Sequence, residues 1–365
     1  MIKLFFFSIF VVFFSACGSS DSSPTTETTT LTEETTPIPT TQLSSSSEPF
    51  YFQQWSINKN ETFYTQNGID SEAHIHTGTL LDTYSGKGVK VAIIDNGLDV
   101  KHEDLAGAIS ATYDIQTRSS NVAHTIASEY HGTAVTGLIG ARSNAKGIKG
   151  IASGAEIIFL KYKENMSDSE TVELFAKAEE FGADIISNSW GTNDVSQVVK
   201  EKIIDLSKNG RGGKGIIIVF ASGNDDIDMG NDESAIPEVV AVGASDKDNL
   251  RTFYSNFGIN LDVVAPGGYY LGITSLDDSG SAGGSETDYL LYNDSNAFIG
   301  TSASAPIVSG VIALMLEKNP NLTRVEVEQI LHDTSDKIGN VPYRNGRNNY
   351  YGYGKINLSA IMLSI

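Results

Sequence analysis

Three side chains stand where their types and neighbours could support nucleophilic catalysis. Asp95 follows the apolar run Val91-Ala92-Ile93-Ile94 and precedes Asn96-Gly97. A carboxylate at the end of a buried run is costly to desolvate unless hydrogen bonds reach it. Asp-Asn-Gly after a strand is, taken alone, also an ordinary turn. His131 opens His131-Gly132-Thr133-Ala134-Val135-Thr136-Gly137, followed by more small residues at Gly140 and Ala141, which let a helix pack closely on neighbouring backbone. The other histidines have plainer settings. His74 and His76 lie in a polar leader and would pair on a metal only with a third ligand. His102 and His124 sit in charged or Ser-rich loops, and His332 ends a charged helix. Ser302 lies in Gly300-Thr301-Ser302-Ala303-Ser304-Ala305-Pro306, ahead of an apolar helix. A serine there is ordinarily a cap, but the same place offers free N–H groups and a positive dipole end, suited to a developing oxyanion. A hydroxyl nucleophile, an imidazole base and an orienting carboxylate together make acyl transfer possible.

The elements that must position these residues read as alternating strands and helices. Val89–Asp95, Glu156–Lys161, Ile185–Ser189, Gly215–Ala221, Val239–Gly243 and Leu261–Ala265 are short, continuously apolar runs, as central strands of a parallel sheet covered on both faces require. Helical patterns fall between them at Ser169–Phe181, capped by Ser167 or Asp168, at Val195–Lys208, and at Ala303–Leu316. The pattern predicts an α/β fold: a three-layer arrangement with a mostly parallel central sheet and helices on both faces. Sites in such sheets lie at the carboxyl ends of strands. Gly267–Asn296, rich in Gly, Ser, Asp and Tyr, reads as a long surface loop.

Asp-x-Gly after an apolar strand, His-Gly-Thr opening one helix and Gly-Thr-Ser-x-x-x-Pro opening another resemble the three signatures of the subtilase family of serine proteases. They occur in the order known from subtilisin, with spacings of 36 and 171 residues. The resemblance covers about residues 49–361 and implies a subtilisin-like fold. It also implies a catalytic triad of Asp95, His131 and Ser302, and peptide-bond hydrolysis through an acyl-enzyme. Ser222-Gly223-Asn224, after the run Gly215–Ala221, resembles the segment that holds the family's oxyanion-hole asparagine, although Ser-Gly-Asn is also a common turn. An α/β-hydrolase is disfavoured because no Gly-x-Ser-x-Gly elbow occurs. A catalytically inactive subtilase fold serving as an exported binding lipoprotein is the alternative of a different class.

Ser189-Trp190-Gly191, in Ser187–Gly191, is similar to the subtilase segment that pairs with substrate as an added strand. Trp190-Gly191, the Gln54-Trp55 leader and Ala303 after the serine are closest to the kexin branch. In that branch an acidic residue after Ser-Trp-Gly helps to select a basic residue before the cleaved bond, and Asp194 occupies the matching place. Two features depart from the family: residues 18–48 cannot supply its folded pro-domain, and the kexin branch's trailing β-rich domain has no counterpart after Gly352-Tyr353-Gly354. Asp104 and Asn144 match oxygen ligands of the family's strong calcium site. The loop Arg142–Ile148 would add backbone carbonyls from Arg142, Lys146 and Ile148, as a hard cation prefers. Asp104 could equally cap a turn.

The amino-terminal stretch predicts export. One lysine, the apolar run Leu4–Phe14 and Ser15-Ala16 form a signal peptide of residues 1–16. Phe14-Ser15-Ala16-Cys17 resembles the lipobox of bacterial lipoproteins, with Phe replacing the usual Leu, which makes Cys17 a lipidation site. It is the chain's only cysteine, and so has no disulfide partner. Residues 17–48, rich in Ser, Thr, Glu and Pro, read as a disordered tether, and 49–365 as the catalytic domain. With 25 basic against 45 acidic residues the net charge is −20, which argues against nucleic acid as partner. The expected partners are polypeptide substrates and a membrane, reached through the anchor of a monomeric envelope lipoprotein, with the outer membrane or cell surface favoured by Gly18 after Cys17.

Overall fold

A computed structural model describes residues 47–365 except Thr125, Ser281 and Ala282. The signal segment, Cys17 and all but the last two residues of the expected tether lie outside the described residues. Seven strands form one sheet: β1 (Lys90–Asp95), β2 (Ile109–Asp114), β3 (Glu156–Lys161), β4 (Ile185–Asn188), β5 (Ile217–Ala221), β6 (Val240–Ser245) and β7 (Val263–Pro266). Their spatial order is β2-β3-β1-β4-β5-β6-β7 and every pairing is parallel. A second, two-stranded sheet pairs β8 (Ser275–Leu276) with β9 (Tyr289–Leu290).

The period-two alternation of strands divides the core into two layers. Val91, Ile93, Ile157, Phe159, Val219 and Val242 face one side, with α3 (His131–Gly140) and α6 (Thr301–Lys318). Ala92, Ile94, Ile158, Leu160, Ile218 and Phe220 face the other, with α4 (Asp168–Glu180) and α5 (Gln197–Gly213). α4 begins at a capping box made by Ser167 and Glu170. α6 is buried over nearly its whole length, as its run of apolar and small residues requires. The helices α1 (Glu61–Asn67), α2 (Leu80–Thr83), α7 (Arg324–Thr334) and α8 (Leu358–Ser364) complete the domain. Among the described residues no helix is long and apolar enough to cross a membrane.

Two sequence expectations change. The Gly267–Asn296 stretch is not a surface loop throughout: Leu271, Ile273, Leu276, Tyr289 and Leu290 are buried in the core and the strands β8 and β9 form within it. The leader holding His74 and His76 is likewise packed. Trp55, fully buried, donates from Nε1 to the Gly272 carbonyl at 2.8 Å. His74 is buried and accepts from the His76 amide at 2.8 Å, while His76 Nε2 lies 3.1 Å from Asp336.

Candidate active site

Asp95 is the last residue of β1, buried, with its Oδ1 accepting the Asn96 amide at 2.8 Å. His131 is the first residue of α3, and its Nδ1 lies 2.8 Å from the same Asp95 Oδ1. The helix that carries it is held against the strand end. Asn96 Oδ1 accepts the Gly132 amide at 3.1 Å, and a Cβ on Gly132 would come 2.2 Å from the Gly97 carbonyl oxygen. Only glycine permits that approach. Burial works against a charged imidazole, but the charge of Asp95 and its hydrogen bond outweigh it, so the pKa of His131 is raised above its ordinary value. Phe298 packs edge-on against the imidazole with centroids 5.5 Å apart.

Ser302 is the second residue of α6, after Gly300 at φ 120°, a backbone shape that side chains avoid. Pro306 has no N–H to donate to the Ser302 carbonyl four residues earlier. The Ser189 hydroxyl donates to that carbonyl at 3.0 Å instead. In return Ser302 Oγ donates to the Ser189 carbonyl at 3.2 Å. Asn224, just past β5, accepts from the Thr301 amide at 2.9 Å and the Thr301 hydroxyl at 3.0 Å through Oδ1. That fixes its amide and leaves Nδ2 as the donor beside the Ser302 amide, both available to an oxyanion.

A pocket opens next to Ser302, lined by Ser189, Gly191, Asn224 and Asp232 among others. Trp190 also lines the pocket, while its ring packs on Tyr162, Phe175 and Phe220 in the core. Asp194 lies apart from the lining residues: it is exposed and accepts from Asn231 Nδ2 at 2.8 Å. The carboxylate on the pocket wall is Asp232, buried, and a Cβ on Gly191 would meet its Oδ2 at 2.5 Å. Sequence reasoning missed it, because an Asn-Asp-Glu turn carries no signal until Asp194 and Asn231 are seen to bridge.

The residues expected to hold calcium come together. Asp104 Oδ2 accepts the Ile148 amide at 3.0 Å, while its Oδ1 is buried without a hydrogen-bond partner. Burial, against the pull of the Ile148 amide, raises the Asp104 pKa. Asn144 donates to the Glu103 carbonyl at 3.2 Å and accepts the Lys146 amide at 3.0 Å. The Arg142 amide donates to the Asp104 carbonyl at 2.7 Å, its guanidinium turns away to Ser153, Ala155 and Gly107, and Lys146 Nζ pairs with Glu103. Glu48, at the end of the expected tether, is buried here and accepts from Ser143 Oγ and the Ala145 amide. An orphaned buried carboxylate oxygen at a loop that a second buried acid also engages fits a hard cation.

Comparison with known proteins decides the family. Residues 86–354 match the model of the Subtilase family. The chain belongs to that family. Subtilisin Savinase of Lederbergia lenta is 30% identical over 283 residues, covering 76% of this chain and 91% of that protein. A calcium-dependent protease of Nostoc sp. is 33% identical over 347 residues, covering 86% of this subtilase and 52% of that protein. The chain thus spans about half the length of the calcium-dependent proteases it matches. Among solved structures, a protease of Pseudoalteromonas arctica aligns with a TM-score of 0.73 at 26% identity, over 88% of this chain and 99% of that one. The fold is the subtilisin-like α/β sheet.

Proposed function

We propose that this subtilase hydrolyses peptide bonds, with Ser302 as nucleophile. The observation that carries the reading is the 2.8 Å contact between His131 Nδ1 and Asp95, in a fold whose Ser302 and Asn224 meet at one pocket. His131 takes the Ser302 proton as Oγ attacks the scissile carbonyl, Asp95 holds the imidazole tautomer and stabilises the imidazolium, and Asn224 Nδ2 with the Ser302 amide receives the oxyanion. His131 then protonates the leaving amine and water releases the acyl group. The substrate backbone pairs along Ser189–Gly191.

Asp232 supports a preference for a basic residue before the cleaved bond, in the manner of the kexin branch; the exposed Asp194 contributes only to the charge around the pocket. Asp104, Asn144, Glu48 and the carbonyls of Arg142, Lys146 and Ile148 would hold calcium, in keeping with relatives named calcium-dependent proteases. Such an ion supplies rigidity to the loop and takes no part in bond cleavage. A lipid on Cys17 would place the enzyme at a membrane, and the mass of the mature amino terminus tests this.

The deciding experiment compares casein hydrolysis and labelling by a fluorophosphonate in the wild type and Ser302→Ala, with peptide-library profiling of the wild type and Asp232→Asn. Loss of both signals in Ser302→Ala is expected, and equal activity removes the reading. Cleavage after Arg or Lys that relaxes in Asp232→Asn supports the basic preference; uniform cleavage after apolar residues sinks it.

A further inference from the structure

At the far end of the sheet from Ser302, three side chains of metal-binding type converge. Asp262 immediately precedes β7, whose opposite end faces the catalytic pocket. Glu328 and His332 lie four apart on α7, hence on one face of it. One ligand atom from each of the three lies within 4.8 Å of the others. The set is held in place from outside. Asp262 Oδ2 accepts the Ala241 amide at 2.8 Å, and the His332 ring stacks on Tyr353 at 3.7 Å and 11°, which aims Nε2 at Asp262 Oδ1, 2.8 Å away. The side chains of Asp262 and His332 are each 11% exposed and that of Glu328 21%, leaving one open side.

We infer that Asp262, Glu328 and His332 form a binding site for a zinc-type divalent cation. One imidazole and two carboxylates, with an open position for water, form a set that suits zinc, whereas calcium prefers six or more oxygens. With bonds of about 2.0–2.2 Å, tetrahedral donors lie roughly 3.4 Å apart, so the His332–Asp262 pair must open from 2.8 Å while the wider distances, none above 4.8 Å, close. The cluster also carries more negative charge than its surroundings answer. Burial, then the charge of Asp262, raises the Glu328 pKa, with Arg324 and His332 opposing. Arg324 reaches Glu328 through one nitrogen only, while its Nε is buried without a partner. A bound cation would replace the His332–Asp262 hydrogen bond with two coordinate bonds and join α7 to the start of β7. Its role is to fasten α7, and through Tyr353 the carboxyl-terminal segment, to the sheet.

The test uses the full chain, freed of metal by chelator and then supplied with calcium. Zinc is titrated and the retained metal counted after gel filtration; cobalt is substituted and its visible spectrum recorded. The expected results are one zinc retained per chain beyond any that a doubly substituted Glu328→Gln, His332→Asn protein keeps, and an intense four-coordinate cobalt spectrum. Zinc should also raise Tm. His332→Asn, whose shorter amide cannot reach the Nε2 position, and Glu328→Gln should each weaken binding at least about tenfold while leaving casein hydrolysis unchanged. No stoichiometric retention by the wild type, a weak six-coordinate cobalt spectrum, or undiminished zinc binding in the variants overturns the site.

Discussion

At the scale of single residues, the imidazole of His131 sets the pH at which the proposed chemistry can run. The base must be neutral to take the Ser302 proton, and the charge and hydrogen bond of Asp95 raise the pKa of His131 despite burial. Activity should therefore rise with pH through a midpoint above about 6.5, the ordinary histidine value, with the fully active enzyme on the alkaline side. Asp95→Asn removes both effects that raise the pKa, so its residual activity should titrate at lower pH, with kcat reduced by several orders of magnitude. A pH profile of kcat/KM for both proteins checks this, and an acid limb that does not move excludes Asp95 as the cause. The three signature residues were legible in the sequence because each stands in a local run that the chemistry itself requires. Asp232 was not, because its place on the pocket wall depends on an approach to Gly191 from far along the chain.

At the scale of elements, the site exists because a strand end and two helix starts meet. The joint between α3 and the turn after β1 leaves no room: Gly132 passes so near the Gly97 carbonyl and the Phe159 ring of β3 that no side chain fits. Gly132→Ala must push α3 away, carrying His131 with it. We expect a stability loss of about 1–3 kcal/mol from overpacking and, because about 1 Å of misplacement costs roughly 10²-fold in rate, a separate loss in kcat of that order in the folded variant. Urea unfolding together with kcat measured well below the midpoint separates the two; wild-type kcat in a folded variant contradicts the joint. The central strands were readable as continuous apolar runs, yet β2 was not. Ser110 and Thr112 interrupt it, as an edge strand with a half-exposed face allows. In the stretch that runs into β8, Leu271 and Ile273 are buried, as is Leu276 within the strand, but the surrounding Gly, Ser and Asp hid their spacing.

At the scale of the whole molecule, stability depends on how buried ionisable groups and a net charge of −20 are managed. His74 lies in the leader, near Lys355 of the carboxyl-terminal segment, and burial, then the nearby His76, lowers its pKa to about 3. A histidine that is neutral when folded and titrates near 6.5 when unfolded contributes stability fully above 6.5, lost as pH falls toward 3. His74→Asn, whose amide oxygen can accept the His76 amide, should flatten the fall in Tm between pH 6.5 and 4; an unchanged slope assigns the acid sensitivity elsewhere. The buried acids Asp104 and Glu48, both engaged with the 143–148 loop, place an opposite demand, for a cation. Bound calcium should stabilise by about 2.7 kcal/mol at a hundredfold excess over Kd, and its removal leaves the buried Asp104 carboxylate without a cation beside it. Glu48 and Phe50, whose amide donates to the Gly147 carbonyl at 2.8 Å, dock on this loop, so they should loosen first. A calcium-selective chelator is expected to lower Tm and open residues 47–55 to proteolysis before the sheet unfolds, with calcium alone restoring both. Asp104→Asn, similar in size but uncharged, should start near the chelated Tm and respond little to either addition. If chelator leaves the wild-type Tm and the proteolysis pattern unchanged, the loop is held by protein contacts alone and the buried acids serve another purpose.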